Sequence, residues 1–210
     1  MSRSTPARTG PTRSRTARPT TPADTTRERI LRATAQVLAE RGYARTRLGE
    51  VAERAGLRPP AVYYYFDSRD DLVSEVMRVG QQRVRKHVEE AIASDLGDVA
   101  SQVAAGIEAH LRIQLELSDF AAAVTRNAGH VPPPVRQALN EQSEAYHDLW
   151  RRLLRRAHEE ELLLPDLDPS IARMLLIGAL NWAVEWWTAD RDLDALVQDT
   201  QSFMGQALFR

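Results

Sequence analysis

The 210-residue chain contains no cysteine, which excludes a disulfide framework, a thiolate metal site and a cysteine nucleophile. Its five histidines show none of the spacings typical of zinc sites, and we expect neither a metal nor a cofactor. The sequence also lacks a G-x-S-x-G motif, a phosphate-binding loop and a paired-carboxylate cleft. No apolar stretch is long and uncharged enough to span a membrane, and no apolar segment follows the basic N-terminus as in a secretory signal. We therefore expect a cytoplasmic protein that is not an enzyme.

Charge is divided unevenly along the chain, although the formal net charge is only −1. Residues 1–86 hold 18 basic and 9 acidic side chains, whereas residues 87–210 hold 10 basic and 20 acidic ones. A basic first part joined to an acidic second part predicts two separate tasks, one of which involves a polyanion.

Residues 1–24 consist mainly of Thr, Ser, Pro and Arg and contain almost no apolar side chain. Such a segment cannot bury enough apolar surface to offset the entropy that it would lose on ordering. We therefore expect a disordered basic arm. Two roles for it remain open: extra contacts to the phosphates or the minor groove of DNA, and a passive solvated tail.

From Thr25 onward, apolar residues recur at helical spacing, and no strand-like alternation is present. Thr25 and Glu28 match a capping box, which predicts the start of a first helix that ends before Gly42. Further glycines and prolines break the rest of the chain into helices, so the fold class is all-α. The later predicted helices cover residues 46–55, 59–67, 69–94, 98–117, 119–129, 132–160, 170–188 and 192–209.

The stretch Gly42–Phe66 carries the clearest functional signal. Two short helices separated by a turn at Gly56 are typical of a helix-turn-helix, whose second helix enters the major groove of DNA. Thr46 is expected to cap the first short helix, where a phosphate can bind. Arg47 and Arg58 flank the two helix starts and can reach phosphates or guanine edges.

The block Tyr63, Tyr64 and Tyr65 lies on the second short helix. Three consecutive side chains sweep about 200° of a helix surface, so at least one of these tyrosines must be exposed. An exposed phenol can donate a hydrogen bond to a phosphate or pack against a thymine methyl group.

Residues 27–77 resemble the DNA-binding domain of the tetracycline-repressor-like (TetR) family. The resemblance rests on the first apolar helix, Gly42, Thr46, the V-A-x-x-A-G segment from Val51 to Gly56, the aromatic block Tyr63–Phe66 and Leu72. It implies a ligand-responsive regulator, most often a repressor, which binds a palindromic operator as a homodimer with recognition helices about 34–36 Å apart. It also implies an N-terminal three-helix helix-turn-helix DNA-binding domain over residues 25–71, followed by a helical effector-binding and dimerisation domain over residues 72–210.

The resemblance also implies which side chains face DNA. Thr46 and Arg69 would hold phosphates at two helix starts, and Tyr63 could instead brace the recognition helix. Gly49, Pro60 and Arg69 depart from residues common in the family, so the operator sequence of a relative cannot be transferred. The full implied contact set is Thr46, Arg47, Arg58, Pro59, Pro60, Ala61, Tyr63, Tyr64, Tyr65 and Arg69.

Two helices near the C-terminus are candidates for dimerisation. Residues 170–188 are apolar nearly all round, which fits a helix packed between its own domain and a partner. Residues 192–209 carry a second apolar stripe. Two such helices from each chain would form a four-helix interface.

The effector is less well specified. The run Asn181–Trp187 loosely resembles the C-terminal domain of family members that sense acyl-CoA, and the arginines at 151, 152, 155 and 156 either meet a CoA phosphate or form a solvated face. A cationic drug-like effector is the alternative, with Glu116, Asp119 and Glu185 as its carboxylates, and a DNA-binding dimer without an effector is another. The alternative for each candidate pocket residue is an ordinary core role, and for Trp182 it is a role in the core or at an interface. These candidates are His110, Phe120, Val124, Tyr146, Trp150, Asn181 and Trp182.

Overall fold

The computed structural model describes residues 22–210, apart from the side chains of residues 22–24, 138 and 141. The predicted basic arm therefore lies outside the described residues, except for its last three positions, whose backbone is helical. Within residues 22–210 the fold is all-α, as predicted, and the only β-pairing in this range is an isolated antiparallel bridge between Leu163 and Phe209. Its α-helices are α1 Pro22–Arg41, α2 Leu48–Arg54, α3 Pro59–Tyr63, α4 Arg69–Ser94, α5 Val99–Arg112, α6 Asp119–Asn127, α7 Pro133–Glu159, α8 Pro169–Trp186 and α9 Leu193–Leu208.

Most predicted helix positions are confirmed, and α4 spans the predicted residues 69–94. Its start is fixed by Ser68, whose side-chain oxygen accepts a hydrogen bond from the backbone N–H of Asp71 at 3.0 Å. The predicted helix over residues 98–117 is instead divided, because α5 ends at Arg112 and one turn of π-helix follows over Ile113–Leu117. No helix within residues 22–210 has the length and apolar character needed to cross a membrane.

Two predicted N-caps are wrong. The first helix begins at Pro22 rather than after Thr25, so the capping box lies inside the helix. Proline is well tolerated at a first helical position, where its missing N–H has no intrahelical partner. The second helix begins at Leu48 with Arg47 as its N-cap, so Thr46 does not cap it.

In the part of the chain that the structure describes, the hydrophobic core consists of two clusters of buried side chains. One surrounds Trp150 and joins the second half of α4 to α5, α7, α8 and α9. The other holds α1, α2, α3 and the first half of α4 together, and it continues past the predicted domain boundary after residue 71. This N-terminal cluster also contains six side chains from α6, the loop after it and the start of α7, which are Phe120, Ala123, Val124, Val131, Val135 and Leu139.

The helices α4 and α6 approach each other closely at Gly80. A Cβ atom added there would lie 2.5 Å from Val124 Cγ2 and 2.7 Å from the backbone oxygen of Phe120. A side chain at this position would therefore have to displace the backbone of α6. The missing side chain of Gly80 allows α6 to lie directly against α4, the helix that follows the predicted helix-turn-helix.

Asn127, the last residue of α6, connects the two ends of the molecule. Its Nδ2 donates a hydrogen bond to the carbonyl of Leu38 at 3.1 Å, and its Oδ1 accepts one from the backbone N–H of Tyr43 at 2.7 Å. Asn127 is 1% exposed. Because bonds made away from water are stronger than the same bonds at the surface, this side chain ties α6 to the C-terminal end of α1 and to the turn that leads into α2.

Candidate DNA interface and ligand cavity

The helices α2 and α3 form a tight helix-turn-helix. Gly56 adopts a φ of 65°, a left-handed conformation that glycine accepts without strain. The backbone N–H of Leu57 then donates a hydrogen bond to the carbonyl of Ala52 at 2.8 Å, which closes the turn. Val51 and Val62 are fully buried between the helices. The inner side of α3 is thus fixed to the core, and its outer side is left to solvent.

The outer side of α3 presents two tyrosines. Tyr63, the last residue of α3, is 56% exposed, and Tyr64, which follows it, is 83% exposed. Both lie at helical spacing from the exposed Pro60. Tyr65 is partly buried and packs edge-on against the ring of Tyr64 at a centroid distance of 5.1 Å. These rings offer hydroxyl groups and apolar faces to a partner beside α3. The other implied contact residues on this segment are Arg58, Pro59 and Pro60, which are exposed, and Ala61, which is partly buried.

The arginines of this surface differ from the other arginines of the N-terminal helices in their ion pairs. Arg54 pairs with Glu40 at 2.6 Å, and most other arginines of these helices also contact a carboxylate or a carbonyl. In contrast, no ion pair within residues 22–210 involves Arg45, Arg47 or Arg58, and all three are exposed. Three guanidinium groups without an internal anion are therefore available to an external one.

Arg45 is a candidate that the sequence analysis missed. It lies in a short 3-10 turn, Tyr43–Arg45, directly before the buried Thr46. The sequence shows only that Arg45 and Arg47 flank Thr46. Because Thr46 is buried in extended backbone, both of its neighbours face outward.

Thr46 does not present its hydroxyl to solvent, contrary to expectation. It is 2% exposed, and its Oγ1 donates a hydrogen bond to the carbonyl of Gly42 at 2.9 Å. Its backbone N–H donates to the carbonyl of Tyr43 at 3.2 Å. Both donors are used inside the protein, so we remove Thr46 from the contact set and assign it to the support of this turn.

Arg69 also has partners inside the protein. Its guanidinium donates a hydrogen bond to the hydroxyl of Tyr43 at 2.7 Å, lies over the Tyr43 ring and pairs with Asp70 at 3.3 Å. These contacts hold the start of α4 against the turn before α2. A phosphate contact by Arg69 stays a prediction, and it would have to compete with them.

A cavity of about 180 Å³ lies among α4, α5, α6, α7 and α8. Its apolar wall consists of Val84, Val124, Ala128, Leu139 and Ile177. Four of the seven predicted ligand residues line it, which are His110, Val124, Tyr146 and Asn181. Five further polar residues that the sequence analysis did not select also line it, which are Gln81, Gln114, Thr125, Ser143 and His147.

Three predicted ligand residues do not line this cavity. Phe120 is buried in the N-terminal cluster, where Arg83 lies 4.0 Å from its ring centroid. Trp150 is fully buried in the core, and it packs so closely on Gly106 that a Cβ atom there would lie 2.8 Å from the indole. Trp182 is 65% exposed, because successive residues of a helix point about 100° apart and its neighbour Asn181 faces inward. For these three residues the expectation of cavity contact is wrong.

His110 and Tyr146 form a buried pair in the cavity wall. The distance from His110 Nδ1 to the Tyr146 hydroxyl oxygen is 2.6 Å. Burial lowers the pKa of His110 to about 4 and raises the pKa of Tyr146 above its ordinary value. Both groups are therefore neutral at pH 7. Burial also lowers the pKa of His147, so no lining group of this cavity is charged at that pH.

The charged groups considered for an effector lie elsewhere. Glu116, Asp119 and Glu185 are exposed, and none of them lines the cavity, which removes the basis for a cationic effector in it. The arginines at 151, 152, 155 and 156 form an exposed face of α7, where Arg151 pairs with Asp148 and Glu144. This face is solvated, which was one of the two expectations for it.

One face of α8 and α9 is apolar and open to solvent. The inner side of α8 is buried through Leu176 and Leu180, whereas its outer side exposes side chains at helical spacing. Large exposed apolar groups that lie together typically mark an interaction surface. The members of this outer face are Ile171, Met174, Leu175, Trp182 and Trp186 on α8 and Phe203 on α9.

Comparisons with known proteins give a consistent picture. The profile described as "Bacterial regulatory proteins, tetR family" matches residues 30–76, and that described as "Tetracyclin repressor-like, C-terminal domain" matches residues 96–195. The Fatty acid metabolism regulator protein of Bacillus subtilis is 22% identical over 158 residues, which cover 75% of this chain and 81% of the relative.

Two solved structures share the fold. The regulator FadR of Bacillus subtilis in complex with stearoyl-CoA has a TM-score of 0.75 at 21% identity, covering 86% of this chain and 98% of its own. AibR in complex with isovaleryl coenzyme A and operator DNA has a TM-score of 0.76 at 17% identity, covering 88% and 98%.

Proposed function

We propose that this chain, which belongs to the tetracycline-repressor (TetR) family of transcriptional regulators, binds a palindromic operator as a homodimer and releases it when an acyl-CoA enters its cavity. It is a DNA-binding regulator and not an enzyme. The observation that carries the proposal is the exposed surface of the helix-turn-helix, where Tyr63 and Tyr64 accompany arginines that make no ion pair with the described side chains. The proposal places the protein in the cytoplasm, where bacterial DNA lies.

The dimer is proposed to form through the outer face of α8 and α9. This face carries two exposed tryptophans, Trp182 and Trp186, and tryptophan is a residue type that dominates the energy of protein interfaces. An apolar face on two neighbouring helices can pack against the same face of a second copy of the chain. If a twofold axis relates the two copies, the contact contains four helices. The same axis would place two α3 helices on a palindromic operator.

We expect Leu175→Glu to convert the dimer into monomer. Leu175 is 65% exposed on the outer face of α8, and a twofold contact would bury two new carboxylates in an apolar interface, which costs several kcal/mol. The dimer dissociation constant should rise at least a hundredfold in sedimentation equilibrium. The matched control is Leu96→Glu, since Leu96 is 97% exposed but lies in the loop between α4 and α5 and is not a member of the outer face of α8 and α9. A Leu175→Glu chain that remains as dimeric as the control would contradict this interface.

The acyl-CoA effector is supported by the cavity and by what is known of two proteins with the same fold. FadR of Bacillus subtilis was solved with stearoyl-CoA and AibR with isovaleryl coenzyme A. The cavity in this chain is smaller than the ~300–1,000 Å³ of pockets that enclose a drug-sized ligand. We infer that the acyl group enters it and that the nucleotide remains outside.

The route from cavity to DNA runs through two helices. Gln81 and Val84 place α4 in the cavity wall, and the same helix begins at the DNA-binding segment. Thr125 and Ala128 place the C-terminal end of α6 in the wall, beside the hydrogen bonds from Asn127 to α1 and Tyr43. These helices can take one position that suits operator binding and one that does not. A ligand that binds the second more tightly weakens operator binding, by at most the ratio of its affinities for the two positions.

We expect an acyl-CoA to weaken operator binding by about 5- to 150-fold, which corresponds to the ~1–3 kcal/mol typical of coupling between sites. The measurement is fluorescence anisotropy of labelled DNA from upstream of the protein's own coding sequence, titrated with protein in the presence of saturated acyl-CoAs and of acyl-CoAs that bear a hydroxyl or keto group. Free CoA at the same concentration is the control. If no member of the series binds the protein or changes its operator affinity, the chain is a DNA-binding dimer without an acyl-CoA effector.

A further inference from the structure

The cavity wall is richer in polar groups than a hydrocarbon ligand requires. Eight of its thirteen lining residues are polar, and none is charged at pH 7. A saturated chain in contact with this wall would leave donors and acceptors without partners, and each such buried group costs about 1–3 kcal/mol. The wall therefore favours a ligand that is uncharged and carries hydrogen-bonding atoms.

His110 offers the most specific of these groups. The hydroxyl of the buried Tyr146 keeps its proton. His110 Nδ1 lies 2.6 Å from it, and we assign Tyr146 as the donor and His110 Nδ1 as the acceptor of this bond. A neutral imidazole that accepts at Nδ1 carries its own proton on Nε2. His110 Nε2 is buried, belongs to a residue of the cavity wall and has no hydrogen-bond partner among the described residues. The wall thus contains a donor with no acceptor, and His147 Nδ1 is a second buried polar atom of the wall without a partner among the described residues.

A second polar pair lies in the same wall. Thr125 Oγ1 donates a hydrogen bond to Gln114 Oε1 at 3.0 Å, which orients the Gln114 amide. Gln114 is 5% exposed and lies in the π-helical turn that follows α5. Gln114 follows His110 by four residues in the chain, and both residues line the cavity.

We propose that the acyl group of the effector carries an uncharged oxygen, as a hydroxyl or keto group on its chain, and that this oxygen accepts a hydrogen bond from His110 Nε2. The inference rests on the proposed acyl-CoA effector and adds which class of acyl group is recognised. The thioester carbonyl is the other possible acceptor. Because it is attached to the nucleotide portion, which the cavity is too small to hold, we assign the fully buried His110 to an oxygen farther along the chain.

The test compares matched thioesters on the full-length protein by isothermal titration calorimetry. The pairs are butyryl-CoA with 3-hydroxybutyryl-CoA and octanoyl-CoA with 3-hydroxyoctanoyl-CoA, together with the corresponding 3-oxo compounds. We expect at least one oxygenated compound to bind at least tenfold more tightly than its saturated counterpart, since a site built around a donor rejects a ligand that leaves the donor unpaired.

Variants locate this preference at the buried pair. His110→Phe should bring the dissociation constants of oxygenated and saturated ligands to within threefold of each other. Tyr146→Phe removes only the hydroxyl that orients His110 and leaves the core volume nearly unchanged, and it should also reduce the difference. The control His158→Phe replaces an exposed histidine near the end of α7 and should keep the preference. Thermal melting establishes that each variant is folded.

The outcomes separate the two proposals. Saturated and oxygenated thioesters that bind equally well would overturn the oxygen requirement and leave the acyl-CoA effector standing. A preference that persists unchanged in both His110→Phe and Tyr146→Phe would overturn the role of His110. Absence of binding by every thioester would overturn the proposed effector and this inference with it.

Discussion

Replacing both Arg47 and Tyr64 with alanine is expected to lower the affinity for operator DNA at least a hundredfold. Arg47 is exposed without an ion pair within residues 22–210, and Tyr64 is 83% exposed on the recognition helix. A hydrogen bond from a charged group contributes about 1.5–3 kcal/mol, and an uncharged one about 1 kcal/mol. A homodimer loses both contacts twice, so a hundredfold loss is a conservative expectation.

Salt dependence gives an independent measure of the same loss. Each phosphate contact contributes about 0.9 to the slope of log affinity against log salt concentration. If Arg47 contacts a phosphate in each half-site, the slope should decrease by nearly 2 in the double variant. A loss of affinity with an unchanged slope would instead assign Arg47 to a base edge.

The matched control is the double variant Arg155→Ala with Leu96→Ala. It also removes one exposed arginine and one exposed large side chain, but from α7 and from the segment between α4 and α5. Both doubles should remain dimeric in sedimentation and should unfold within about 0.5 kcal/mol of the parent chain, as is usual for surface changes. Retained operator affinity in the Arg47 and Tyr64 double would show that this assignment of the DNA surface is wrong.

Replacing Gly80 with alanine is expected to destabilise the fold, although alanine is the better helix former. The new Cβ atom would meet Val124 Cγ2 at 2.5 Å and the backbone oxygen of Phe120 at 2.7 Å. A side chain can rotate away, but the backbone contact can only be relieved if α6 moves, and overpacking of this kind costs about 1–3 kcal/mol. For a chain of this length the melting temperature should fall by roughly 2–12 °C.

Gly49 provides the matched control for this substitution. It also lies within a helix, but it is exposed and no atom lies within 4 Å of a Cβ atom added there. Gly49→Ala should therefore gain up to about 1 kcal/mol by restricting the unfolded chain. Melting of both variants at one fixed protein concentration, which keeps the dimer equilibrium comparable, should give shifts of opposite sign. A neutral Gly80→Ala would contradict the close packing of α4 on α6.

Local signals predicted the helices well where one residue controls the boundary. Ser68 satisfies an N–H at the start of α4, and Gly56 supplies the left-handed turn before α3. Threonine signals were less reliable, because a threonine before a helix can equally use its hydroxyl within a turn, as Thr46 does with Gly42. The π-helical turn after Arg112 was not predictable, since no glycine or proline marks it.

The sequence places the residues of the proposed DNA surface together more directly than those of the cavity, for a geometric reason. The proposed DNA surface comes from one short stretch of chain, so its residues are neighbours in the sequence. The cavity is formed by five helices, and Gln81, Gln114 and Thr125 meet there only because of how those helices pack. At α8 the sequence predicted that both Asn181 and Trp182 contact the ligand. The polar Asn181 faces the cavity, whereas the adjacent Trp182 does not.

The N-terminal cluster has a consequence for how such a regulator can be recombined. Phe120, Val131 and Leu139 complete the core around α1, although they follow α4 by 26 residues or more. A hybrid that joins residues 1–95 of this chain to the sensor half of a relative would bring in foreign side chains at these positions. In such a hybrid, α6 and the start of α7 would have to be redesigned to pack against α1. Operator preference and effector preference therefore cannot be exchanged by joining halves of two regulators. Each preference would instead change through substitutions within its own half.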